Sequence, residues 1–214
     1  MSVKTEFYFP SVSGLCDIHA AKYLPEDASG VKAVIQIAHG IAEYIDRYDP
    51  FMQFLAANGF VAVGNDHLGH GKSITMAEEQ GIFAEKDGWR YVLDDMDKLH
   101  SMTVEKYPGV PYIFFGHSMG SFATRESLLR YGGELNACVI SGTGWQPVPV
   151  LKVGQMVCKM QAKKVGETGT SETVDKLMFG SYNDSILVER AGVGMKVLED
   201  TVAGKCEEIS GCYD

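Results

Sequence analysis

All six histidines of this 214-residue chain lie within its first 117 positions. Any chemistry that needs an imidazole must draw on His19, His39, His67, His70, His100 or His117. Other absences narrow the field further. No apolar run approaches the ~20 residues that a membrane-spanning helix needs. The five cysteines (Cys16, Cys138, Cys158, Cys206 and Cys212) are odd in number and none forms a CxxC pair. That argues against a disulfide framework or a zinc site and for free thiols in a reducing compartment. No basic stripe with interleaved aromatics is present, and the net charge is −9. An acidic chain repels the phosphate backbone, so nucleic acid is not expected as a partner, and anionic membranes are little attracted. The opening MSVKTEFYFP lacks the basic start and apolar stretch of a signal peptide, so the expected location is the cytoplasm. No internal repeat is found.

What is present is the material of a core. Hydrophobic residues make up 45% of the chain and charged residues 22%, and the length favours one domain with an insertion. Residues 5–10 and 15–24 read as two strands joined by a tight turn. The apolar runs 32–38, 60–65, 112–115 and 137–141 read as buried strands. Phe51, Phe54 and Leu55 recur at helical spacing and Asn58-Gly59 closes that helix. Trp89, Val92, Leu93, Met96, Leu99 and Met102 mark a long helix ending before Pro108. A further helix spans 119–131. Strands alternating with helices predict an α/β fold: a mostly parallel sheet with helices on both faces. The pattern divides into a core (1–146), an amphipathic stretch (147–184) and a tail (185–214) without strand-helix rhythm. In the second part Val150, Leu151, Val153, Met156, Val157 and Met160 form the apolar side, with the methionines expected in a small core.

The chemistry concentrates in three stretches. Gly116-His117-Ser118-Met119-Gly120 has the form G-x-S-x-G, between a predicted strand and a predicted helix. A serine at such a turn is held in a strained conformation, and the flanking glycines let strand and helix pass closely. The helix N-terminus then offers N–H groups and a positive dipole end to a developing oxyanion. The competing reading is a serine that caps the helix. His39-Gly40-Ile41-Ala42-Glu43 follows the third strand, where the N–H of Ile41 can supply a second oxyanion donor beside that of Met119. The third stretch is Asp66-His67-Leu68-Gly69-His70-Gly71-Lys72-Ser73. It lacks the ligand spacing of a metal site and reads as a hydrogen-bonded loop; no metal or cofactor is expected.

Taken together, HGIAEYIDRY (39–48), DHLGHGKS (66–73) and GHSMGS (116–121) resemble, in order and spacing, the signature stretches of the monoacylglycerol lipase and lysophospholipase branch of the α/β-hydrolases. The resemblance covers roughly residues 10–184. It implies an α/β-hydrolase fold with a helical cap (here partial, 147–184) and a serine hydrolase cleaving carboxylic esters, with peptide bonds ranked behind them. It also implies that Ser118 is the nucleophile and that the N–H groups of Ile41 and Met119 form the oxyanion hole. Local departures in two of the motifs, Ala42 and Ser121 where the family usually has glycine and Tyr44 where it usually has histidine, read as small or peripheral.

The large departure is the base. In this fold the acid and the histidine follow the nucleophile, and here no histidine does. The chain therefore resembles the first two thirds of such an enzyme. A frameshift, a truncation or a short variant with another base would each explain the tail. His39 or His67 is the candidate for a substitute base or, failing that, for loop support. The alternative to an esterase is an impaired remnant that binds an acyl ligand or a partner chain. A sheet without its last strands would expose an edge, which predicts a homo-oligomer that covers it.

Overall fold

The computed structural model of the chain describes residues 3–166 and 169–185. By internal contacts the chain divides into two compact units, residues 1–144 and 145–214.

The first unit is a six-stranded sheet. Its strands are β1 (Val3–Pro10), β2 (Asp17–Leu24), β3 (Val34–Ala38), β4 (Val61–Asn65), β5 (Tyr112–His117) and β6 (Ala137–Ser141), in the order β1-β2-β4-β3-β5-β6. The β1–β2 hairpin is antiparallel and joins β4 antiparallel, while β4, β3, β5 and β6 run parallel. Every residue of β3 and β4 is buried, as expected of parallel strands covered on both faces. On one face lies α1 (Asp49–Ala57), packed with Ile35, Ile37 and Ala62. On the other lie α2 (Gly88–Val104) and α3 (Met119–Tyr131), with Val92, Leu93, Met96, Leu99 and Ala123 against Val34, Val63 and Phe114. The predicted α/β-hydrolase sheet, with helices on both faces, is thus present.

One helix is rotated from its predicted orientation. In α1 the buried residues are Met52, Leu55 and Ala56, and Phe54 is 61% exposed. A nine-residue helix has two overlapping apolar stripes, 51/54/55 and 52/55/56, and periodicity cannot choose between them. The half-buried Phe51 ring still reaches Phe115, 5.1 Å away.

The second unit contains α4 (Val148–Val165) and α5 (Glu172–Ser185). The amphipathic stretch is helical as expected, but none of its residues is buried, and Met156 is 57% exposed. The expectation that Met156 and Met160 sit in a core is corrected. Within this unit α4 contacts α5, and a single helix cannot enclose another's apolar stripe. No helix among the described residues is long and apolar enough to cross a membrane. Among the described residues no strand follows β6; the tail expected from 185 lies outside them apart from Ser185, which ends α5.

Candidate active site

Strand β5 ends at His117 and α3 begins at Met119, which leaves Ser118 alone to make the turn. Its backbone sits at φ 51°, ψ −118°, in a region that side-chain-bearing residues occupy at a cost of order 1–3 kcal/mol. The surroundings hold it there. The Ser118 N–H donates to the Ser141 carbonyl of β6 at 3.0 Å, and its own carbonyl accepts from the Ser121 N–H at 2.9 Å. The Ser121 hydroxyl donates to the same carbonyl. Ser121 is therefore not peripheral: its hydroxyl ties down the turn where the family's glycine would not. The Ser118 side chain makes no capping hydrogen bond, so the helix-cap reading fails. The flanking glycines are sterically required. A Cβ on Gly116 would lie 2.4 Å from the Gly120 carbonyl oxygen, and one on Gly120 would lie 2.0 Å from that of Ala38.

The same packing brings the loop after β3 to the serine. A Cβ on Gly40 would stand 3.1 Å from Ser118 Cβ. Glu43, three residues on, holds this loop: its Oε2 accepts from the Gly40 N–H at 2.9 Å and from the Tyr48 hydroxyl at 2.8 Å. Ala42 sits at φ 56°, in the left-handed region that favours glycine. The departure from the family's glycine thus falls on a strained position, not a neutral one. Among the described residues no hydrogen-bond acceptor is recorded for the N–H groups of Ile41 or Met119.

The histidines turn inward. His39 is fully buried. Its Nδ1 donates to the Gly40 carbonyl at 2.7 Å, and its Nε2 accepts from the His67 N–H at 2.9 Å. His67 packs against it at a tilt of 39°, ring centroids 4.1 Å apart, and Nε2 of His67 donates to the His39 carbonyl at 3.2 Å. His70 donates through Nδ1 to the Leu68 carbonyl. Burial keeps all three neutral: His39 is held well below the ordinary imidazole range, His67 is pushed down to about 3, and His70 is lowered. Asp66, also buried, closes the loop. Its Oδ1 accepts from the Ile45 N–H at 2.6 Å, and its Oδ2 accepts from the Lys72 N–H and from His19 Nδ1, both at 2.8 Å.

None of the six rings is hydrogen-bonded to Ser118. His19 bridges Asp66 and Glu6, His100 lies edge-on to Tyr112, and His117 contacts the Ser141 hydroxyl at 3.2 Å. Both nitrogens of His39 are taken up by backbone hydrogen bonds within the loops, and His67 uses Nε2 in the same way. Glu6, His19 and Asp46 bring ligand-type atoms within 4.8 Å of one another. Ammonium groups already fill that cluster, with Lys4 at 2.7 Å and Lys72 at 3.0 Å from Asp46. The sequence reading passed over Glu43 and Ser141. Glu43 carried a faint signal, standing three residues after Gly40 in a turn; Ser141 carried none, because its role depends on β6 lying beside β5.

Comparison with known proteins agrees with this geometry. Residues 29–186 match the family model described as serine aminopeptidase S33, of the α/β-hydrolase type. A monoacylglycerol lipase from Mycolicibacterium smegmatis is 30% identical over 141 residues, covering 66% of this chain and 47% of that protein. Among solved structures, a lipase in its open form superposes with a TM-score of 0.78 at 26% identity, covering 96% of this chain and 66% of that one. A carboxyl esterase from Bacillus coagulans gives 0.67 at 28% identity, covering 78% and 53%. The chain thus spans less than half the length of the curated relative. With that family model matched over most of its length, and three motifs that resemble the monoacylglycerol lipases, the chain belongs to the serine aminopeptidase S33 family of α/β-hydrolases.

Proposed function

We propose that this chain transfers the acyl group of a carboxylic ester to Ser118. The observation that carries the reading is the backbone of Ser118, held at φ 51° between two glycines that tolerate no side chain, with its own side chain left out of any cap. Attack of Oγ on the ester carbonyl would form a tetrahedral oxyanion. The N–H groups of Ile41 and Met119, with the N-terminal dipole of α3, are suited to stabilise it. Collapse releases the alcohol and leaves an acyl-serine, which water then hydrolyses. Monoacylglycerols, lysophospholipids and short-chain esters are the substrate classes that the lipase and esterase relatives suggest.

The histidine count shapes the kinetics. None of the six rings is hydrogen-bonded to Ser118, so a chain limited to these residues leaves removal of the Ser118 proton to a weaker group or to solvent. Loss of a triad base costs several orders of magnitude, while an intact oxyanion hole and binding site retain ~10³-fold over water. Esters with good leaving groups should react first, and turnover should be slow. The same observation favours a second reading, in which the site binds an acyl ligand without turnover. A fluorophosphonate probe separates the two by intact mass. An adduct on the wild type and none on Ser118→Ala supports acyl transfer. No adduct on either removes that reading and leaves the binder.

A further inference from the structure

The loop beside Ser118 hinges on one glycine. Gly40 joins two peptide units, and without a Cβ it leaves the angle between them soft. In the first unit, His39–Gly40, the carbonyl accepts from His67 Nε2 at 3.2 Å and the N–H donates to Glu43 Oε2 at 2.9 Å. In the second, Gly40–Ile41, the carbonyl accepts from His39 Nδ1 at 2.7 Å. A trans peptide sends its N–H away from its carbonyl, so that bond also aims the Ile41 N–H. Among the described residues no backbone hydrogen bond joins Glu43 to Gly40. The Glu43 side chain closes the turn instead, across Ala42 at φ 56°. The carboxylate is itself held: the Tyr48 hydroxyl donates to Oε2 at 2.8 Å, and Arg47 Nη1 stands 3.7 Å from Oε1.

We propose that Glu43 is a positioning residue of the oxyanion hole: its carboxylate, tied back to the Gly40 N–H, fixes where the Ile41 N–H points. The inference rests on the acyl-transfer reading. The spacing is that of a capping box, in which a Glu or Gln reaches back three residues to a backbone N–H. Reach is what this geometry uses, and charge works against it. A Cβ on Gly40 would lie 3.0 Å from Glu43 Oε2 and 3.1 Å from Ser118 Cβ. Carboxylate and nucleophile therefore border the space of a single methyl group. A negative charge there opposes the one that develops on the oxyanion. The tie favours the reaction and the charge disfavours it, so substitutions can separate the two by sign.

Glu43→Gln keeps the reach and drops the charge. Glu43→Asp keeps the charge and is one methylene short. Fluorophosphonate labelling of the full chain, followed over a range of probe concentrations, separates the limiting rate from the half-saturating concentration. Glu43→Asp should lower the limiting rate by ~10²-fold, the penalty of a group misplaced by about 1 Å, with half-saturation little changed. Glu43→Gln should recover most of that loss, and the urea midpoints of the two variants should agree. Glu43→Ala lacks both reach and charge; it should match Glu43→Asp and replaces it in the test if that variant does not fold. Equal limiting rates in every chain, or a Gln variant as slow as the Asp variant, would overturn the inference and leave the acyl-transfer reading standing. A wild type that takes no label overturns both.

Discussion

The turn at Ser118 and the loop from Asp66 to Ser73 are both rich in glycine and polar side chains, and they use their bonding capacity in opposite ways. The loop spends most of it internally. Asp66 takes three donors, and His67 and His70, packed at tilted angles against His39, each bond a backbone carbonyl through one ring nitrogen. The turn holds capacity back. Ser118 is strained and its side chain caps nothing, and among the described residues neither the adjacent Met119 N–H nor that of Ile41 has an acceptor. Residues conspicuous in a sequence for their chemistry can therefore be bound up in holding a loop, while the turn at Ser118 keeps its side chain out of any cap.

The contrast can be broken most severely at Gly120. Gly120→Ala sets a Cβ against the carbonyls of both Ala38 and His39, 2.0 and 2.6 Å away. Neither is a flexible side-chain tip. The variant should lose at least ~3 kcal/mol of stability in urea titration and lose probe labelling with it. A near-neutral result would mean the turn is looser than described.

Acid should act on the loop. His39, His67 and His70 bind protons less readily folded than unfolded, so the unfolded state takes up more protons as pH falls. Their contribution is complete above the ordinary imidazole value of 6.5. It should be lost progressively as pH drops from there toward about 3, the value for His67. Urea midpoints at pH 7.5 and pH 5 test the sign; equal midpoints would mean the three rings are already protonated or hydrated.

The smallest effect sharpens the picture of strain. Ala42 occupies φ 56° in the loop beside Ser118. Ala42→Gly removes the left-handed penalty at some cost in chain entropy, so the variant should be more stable by about 1 kcal/mol. A destabilised variant would place the strain elsewhere.

Much of this was legible in the linear chain. The strands at 137–141 and the helix at 119–131 fall where the apolar runs and the glycines put them, because buried parallel strands must be apolar on both faces. The G-x-S-x-G turn was legible because strand, glycines and helix all have local signatures. The face that α1 buries was not, since two stripes were equally apolar. Nor was the exposure of Met156 and Met160, because a stripe records what a helix can bury and not whether anything is there to cover it.

The sequence by itself determined the α/β alternation, the position of the strained serine and the lack of any histidine after it; these follow from local sterics, hydrophobic runs and a count. Only the tertiary structure decided which partners the six histidines take, that Gly40 lies against Ser118, and that Ser141 accepts from the Ser118 N–H. Those facts depend on residues far apart in the chain being brought within a few ångströms, and the order of strands in the sheet, not the order of residues, sets which ones meet.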